Sequence, residues 1–140
     1  MTDGLLLANA LSTWFMVGAI WLIQLVVYPS FRDNDPARFR DAMLQHQTRM
    51  GRVVILPMLV ELSTTVLLLV FQPDSVSARL GTICVGVWGF STIFVQVPIH
   101  SRLAAEGPDT ARIDRLVKWN WPRTIAWTAH GILCAASLSP

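Results

Sequence analysis

The run VVILPMLVELSTTVLLLVF, residues 53–71, decides how the rest of the chain is read. It is nearly as long as the ~20 apolar residues that cross the hydrocarbon of a bilayer. Its one charge is Glu61, near the middle. A carboxylate at that depth is costly, so it calls for a partner and points to a functional role.

Working outward, three further stretches have the same character. The expected spans are about 5–27, 53–71, 80–99 and 121–138. The fourth is the least apolar, because Arg123 and His130 lie inside it. Across the 140 residues 53% are hydrophobic, 14% are charged and the mean hydropathy is +0.48. A soluble domain carries about a quarter charged residues. The expected fold is therefore all-α: an integral membrane four-helix bundle, with residues 1–140 as a single transmembrane domain.

Charge distribution sets the expected topology. Ten of the eleven Lys and Arg lie in two segments: Arg32, Arg38, Arg40, Arg49 and Arg52, then Arg102, Arg112, Arg115, Lys118 and Arg123. Only Arg79 lies elsewhere. With four spans, both segments fall on one face, which the positive-inside rule makes cytoplasmic. Both termini and the 73–79 turn are then non-cytoplasmic, in a bacterial inner (plasma) membrane. The basic segments lack interleaved aromatic residues for stacking bases, so no nucleic-acid partner is expected. The start, Met1-Thr2-Asp3-Gly4, has no basic n-region, so no cleavable signal is expected. Cys84 and Cys134 form no CxxC pair and read as buried thiols.

The cytoplasmic loops carry helix signals of their own. Asp35-Pro36 suits an N-cap followed by N1. Phe39, Met43, His46 and Met50 then recur at helical spacing. Pro108-Asp109 opens a second such stretch, with Ile113, Leu116 and Val117 on one side. Short helices are expected in both loops, each lying at the interface or leading directly into the span that follows. Pro122 disfavours α geometry at Trp121, which predicts a kink or break there.

Each span also has a polar stripe. Asn9, Thr13, Gln24 and Tyr28 mark the first; Glu61, Thr64 and Thr65 the second; Thr92, Gln96 and His100 the third; Asn120, Arg123, Trp127, His130 and Cys134 the fourth. Steps of three or four residues place each set on one helix face. Counting ~1.5 Å per residue from Val53 and Pro122, Glu61 and His130 both lie roughly 12 Å deep. These depths predict a polar cavity open to the cytoplasm, with Glu61 and His130 on its floor. Trp14, Trp21, Trp88 and Trp127 would wall it, and Trp119 and Trp121 would anchor the interface.

The candidate catalytic residues are Glu61, His130 and Arg123. Glu61 and His130 form a proton-transfer pair in this reading, and Arg123 holds an oxyanion. Gln24, Tyr28, Gln96, His100, Asn120 and Trp127 are candidates for substrate binding. Every one of these also has a purely structural reading. Intramembrane Gln, Thr and Asn tie helices together, Arg123 can snorkel to headgroups, and His46 reads as an interfacial residue. Because removing a buried charge relieves desolvation, Glu61→Leu is expected to be tolerated.

The run Gln96-Val97-Pro98-Ile99-His100-Ser101-Arg102-Leu103 is followed by a short polar linker and then Trp119-Asn120-Trp121-Pro122-Arg123-Thr124. This pattern resembles the anthrone oxygenase-like family of small four-span membrane proteins. There the third span ends Pro-x-Asn-x-x-Leu and the fourth opens Trp-Asn-x-x-Arg-Thr. Tyr28-Pro29 and Pro57 fit the same layout. His100 departs from it by standing in the Asn position, and Glu61 and His130 are not part of it. The resemblance implies an oxygenase or oxidoreductase-like enzyme, monooxygenase-like, acting on a hydrophobic aromatic or lipid-like substrate. Family members that oxidise anthrones use O₂ and no cofactor.

Two other classes stay open. One is a metal- or haem-binding membrane protein using His46, His100, His130 and Glu61. No His-x-x-x-His or Glu-x-x-His spacing is present, so no metal and no cofactor is the primary expectation. The other is a non-catalytic accessory subunit of a membrane complex. Expected partners are membrane lipid and a hydrophobic small molecule, with a homo-oligomer or membrane complex as the open alternatives.

Overall fold

The computed structural model describes residues 2–138. The chain is helical, and no strand occurs among the described residues. Helix α1 (Thr2–Leu22) passes through a π-helical turn (Ile23–Val27) into the single turn α2 (Tyr28–Ser30) and a 3₁₀ turn (Phe31–Asp33). Helix α3 runs Phe39–Phe71. Helix α4 (Val76–Ser91) passes through a second π turn (Thr92–Gln96) into α5 (Val97–Glu106). Helix α6 runs Thr110–Leu138. Three of these continuous rods, Thr2–Asp33, Phe39–Phe71 and Val76–Glu106, are long and apolar enough to cross a membrane.

The rods pack in a ring, α1 against α3 and α6, and α4 against α3 and α6. The ring is polar inside and apolar outside. Asn9, Thr13, Gln24, Glu61, Thr65, Gln96, Asn120, Arg123 and His130 are buried. Leu11, Phe15, Leu56, Leu59, Val66, Ile83, Phe90 and Ile93 are exposed. Water would favour the reverse arrangement, whereas lipid favours this one. Asn9 shows how the interior is tied together. Its amide donates to Thr64 Oγ1 (2.9 Å) and Thr65 Oγ1 (2.8 Å), joining α1 to α3. Such bonds contribute about 0.6 kcal/mol each in membrane proteins.

Local sequence explains the ends. Ser75 caps α4 by accepting from Ala78 N at 3.3 Å. The Asp109 carboxylate accepts from Arg112 N at 3.2 Å at the start of α6. Gly107 ends α5 with φ +91°, a conformation that disfavours any side chain. Both π turns directly precede an X-Pro pair, Tyr28-Pro29 and Val97-Pro98. Proline lacks a donor and crowds the preceding turn, and a wider turn accommodates both effects.

Of the two arrangements expected for the loop helices, the one that leads directly into the following span is present. The 39–52 stretch is the N-terminal part of α3, and the 110–121 stretch is the N-terminal part of α6. The expected break at Trp121 is absent, since α6 is continuous through Pro122. The only carbonyl Pro122 deprives of its usual donor is that of Lys118, at the polar end of the helix, where solvent can satisfy it.

The candidate site: a buried acid–imidazole pair between two cavities

Ten of the eleven Lys and Arg lie in the 32–52 and 102–123 segments at one end of the ring, the basic end. The Thr2 and Leu138 helix ends and the 72–75 turn define the other, the terminal end.

Glu61 is fully buried and is held from two sides by α6. Its Oε1 lies 2.7 Å from His130 Nδ1, and its Oε2 accepts from Trp127 Nε1 at 2.8 Å. His130 and Trp127 sit three residues apart on α6, so one helix face delivers both. The equal depths counted from sequence correspond to a direct contact. On its far side the His130 ring packs against Gly81 of α4. A β-carbon there would sit 2.8 Å from His130 Nε2, so the site needs a residue without one. One turn further along α6, Cys134 donates to Asn9 Oδ1 at 3.1 Å. Cys84 and Cys134 are both free thiols.

Arg123 lies one turn from Trp127 in the other direction. Its guanidinium carbon stands 5.2 Å above the Trp127 ring centre, and that indole stacks on Trp88 at 5.0 Å. Arg123 Nη1 donates to Asn120 Oδ1 (3.2 Å), and Asn120 Nδ2 donates to Gln24 Oε1 (2.8 Å). Gln24 in turn donates to the Val117 carbonyl at 3.2 Å. Gln24 and Asn120 therefore position Arg123, and neither lines a cavity. Arg123 is only 7% exposed, yet no Asp or Glu forms an ion pair with it among the described residues.

A cavity of about 230 Å³ opens beside it at the basic end. Met16, Tyr28, His46, Thr92, Gln96, His100 and Arg123 are among its walls. The His46 and His100 rings stack at 5.7 Å with an interplanar angle of 10°, and Tyr28 packs on His100 at 5.3 Å. His100 Nδ1 lies 2.8 Å from the Gln96 carbonyl. A carbonyl only accepts, so Nδ1 carries the proton and Nε2 is left as the basic nitrogen. Both side-chain atoms of Gln96 and the Nε of Arg123 are buried without a hydrogen-bond partner. Orphaned polar groups of this kind are rare enough to mark a site.

A second cavity, of about 310 Å³, opens at the terminal end. Asn9, Thr65, Ser75, Ser77, His130, Cys134 and Ser137 contribute to its polar lining. This overturns the expectation of one cytoplasmic cavity floored by Glu61 and His130. His130 lines the cavity at the opposite end, and Glu61 lines neither. Trp127, stacked on Trp88, bonds Glu61 directly, and buried Met16 lines the basic-end cavity. Trp14 (48% exposed) and Trp21 (37% exposed) lie on the outer surface and not on cavity walls. Trp119 and Trp121 are exposed, as expected of interfacial anchors.

The candidates thus sort into three places. Tyr28, Gln96, His100 and Arg123 share the basic-end cavity. Glu61, Trp127 and His130 form one hydrogen-bonded group, and Gln24 and Asn120 brace Arg123. His46, first read as interfacial, belongs to the cavity, because α3 carries it to the level of His100. Gly81 and Asn9 escaped the residue-by-residue reading. Gly81 has no chemistry of its own, and Asn9 was visible only as one member of a stripe. The four donors of the metal reading fall into two separate pairs, and no cluster of three His, Cys, Asp or Glu occurs among the described residues.

Compared with known proteins, the chain matches no family model, no curated protein and no solved structure.

Proposed function

We propose that the protein crosses the bilayer four times and binds an amphiphilic, oxygen-bearing hydrophobic molecule in the basic-end cavity. The observation that carries this reading is the buried Arg123 cation, without an acidic partner, on the wall of a cavity that also holds the orphaned Gln96 amide and two histidines. A buried charge is retained at a cost unless something pairs with it. A carboxylate, phenolate or enolate end would do so, while Met16, Ile23 and Val54 would meet the apolar body. Support for the fourth crossing comes from the outer face of α6. From Trp121 to Leu138 its exposed residues are Trp121, Ile125, Ile132, Ala135, Ala136 and Leu138, none of them charged. Arg123, Thr124 and His130, which lower its hydropathy, are buried.

The reaction class that fits is acid–base chemistry on a carbon acid. His100 Nε2 takes a proton adjacent to a carbonyl, and Arg123 stabilises the resulting oxyanion. This moves the catalytic base from Glu61 and His130, neither of which lines the basic-end cavity, to His100 with His46 and Tyr28 beside it. The oxygenase-like activity implied by the resemblance uses the same step, because an anthrone must become its enolate before meeting O₂. The cavity, small beside ligand sites of ~300–1,000 Å³, suits a few fused rings. With both basic segments inside, the cavity opens toward the cytoplasm of a bacterial inner membrane.

The test is anthrone consumption under O₂ by detergent-purified protein, followed by product absorbance. Turnover above the buffer rate, lost in Arg123→Gln and His100→Gln and retained in Glu61→Gln, is the expected result. A wild-type rate equal to buffer, or variants equal to wild type, contradicts the enzymatic reading.

A further inference from the structure

We infer that the charge at Arg123 sets the protonation of the Glu61–His130 pair, so that an anion bound in the basic-end cavity is matched by a proton taken up from the terminal end. This rests on the reading of the basic-end cavity as an anion site, and adds to it a second, opposite access route.

The geometry has three parts. Trp127 stands between the two charges, its N–H on Glu61 Oε2 and its π face under Arg123. Glu61 does not line the basic-end cavity. Its one titratable hydrogen-bond partner is His130, whose ring lines the terminal-end cavity. That cavity is walled by hydroxyls, Thr65, Ser75, Ser77 and Ser137 among them, which suit water. A proton therefore reaches Glu61 through the imidazole, arriving at Nε2 and leaving from Nδ1. It does not pass Trp127, since an indole N–H donates but does not accept.

The charges supply the coupling. In the proposed anion-free state the pair bears one net negative charge, which Arg123 balances across one indole. An anion at Arg123 leaves this region with one excess negative charge in a low-dielectric setting, and a proton on the pair restores neutrality. Few other groups compete. Among the described residues, the titratable groups acting on the pair include Cys84 of α4 and Cys134 of α6. Helix α1 presents neutral Asn9 and Thr13, and α3 offers Glu61 alone. A charge one ring away changes proton affinity on the order of tenfold. Ligand occupancy on one face and proton supply on the other are thereby linked, and by reciprocity each biases the other.

The experiment is infrared spectroscopy of the full chain in proteoliposomes at neutral pH. The Glu61 carboxylic acid band is identified by its loss in Glu61→Gln, and naphthoate is the anionic probe. Saturating naphthoate should raise the band in wild type. Arg123→Gln should show a raised band without the probe and no further response, while Arg123→Lys, which keeps the charge, should behave as wild type. In vesicles of sorted orientation the band should follow a pH jump on the terminal face faster than one on the basic face. Arg123-dependent naphthoate binding that leaves the band unchanged overturns the coupling while the anion site stands. A band raised by Arg123→Gln when the wild type itself binds no naphthoate overturns the anion site, and this proposal with it. Faster response from the basic face overturns the assigned proton route.

Discussion

The Arg123 guanidinium lies 5.2 Å over the Trp127 ring and touches no carboxylate, although Glu61 is bonded to the edge of the same indole. The protein therefore keeps a cation and an anion in its interior without letting them pair directly. If Arg123 served stability, its loss would be costly. Its contacts include a cation–π contact of about 0.5–2 kcal/mol, one bond to Asn120 and an interaction with the Tyr28 hydroxyl. Relief of a buried charge offsets them. Arg123→Gln is expected to change unfolding free energy by less than about 1 kcal/mol in mixed-micelle denaturation. A loss above about 3 kcal/mol would make the arginine structural.

Glu61 behaves oppositely. The sequence alone suggests that Glu61→Leu is tolerated, but leucine leaves both His130 Nδ1 and Trp127 Nε1 buried without an acceptor. Each orphan costs about 1–3 kcal/mol, so Glu61→Leu is expected to destabilise by about 2–5 kcal/mol. Glu61→Gln retains an acceptor and loses less. The double variant with His130→Gln should show a coupling of at least about 0.5 kcal/mol. Additive effects would mean that the pair does not act as a unit.

How far the sequence carried this picture depends on the kind of physics involved. Helical rise is constant, so counting from Val53 and Pro122 put Glu61 and His130 at one depth, and they meet. Hydropathy separated the apolar rods from the basic loops. What periodicity does not contain is side-chain volume. Trp127, stacked on Trp88, bonds Glu61 directly, and His130 lines the cavity at the terminal end and not the one at the basic end. The two π turns are set by proline crowding at Pro29 and Pro98. The same residue type leaves α3 and α6 continuous at Pro57 and Pro122, a difference the residues themselves do not announce.

Gly81 offers a packing test. A methyl group there would press on His130 Nε2 at 2.8 Å and Cδ2 at 3.1 Å. The ring cannot swing aside without leaving Glu61. Gly81→Ala is expected to cost about 1–3 kcal/mol, and the cost should largely vanish in a His130→Ala background. An equal penalty in both backgrounds would place the strain elsewhere.

Topology is open to thiol labelling. In variants lacking Cys84 and Cys134, a single cysteine replacing Thr110 should react from the cytoplasmic side, and one replacing Asp74 from the opposite side. Both positions are exposed. Labelling of both from one side would contradict four crossings.

The most direct test of the central claim, that Arg123 with the histidine-lined cavity is an oxyanion site, compares two probes of one shape. Naphthoate and naphthamide differ only in charge at the polar end. Calorimetric titration of detergent-purified protein should show the carboxylate binding at least about tenfold tighter, a difference of ~1.4 kcal/mol, and Arg123→Gln should erase that preference. Equal affinity of wild type for the two probes, or a carboxylate preference that survives in Arg123→Gln, would contradict the account.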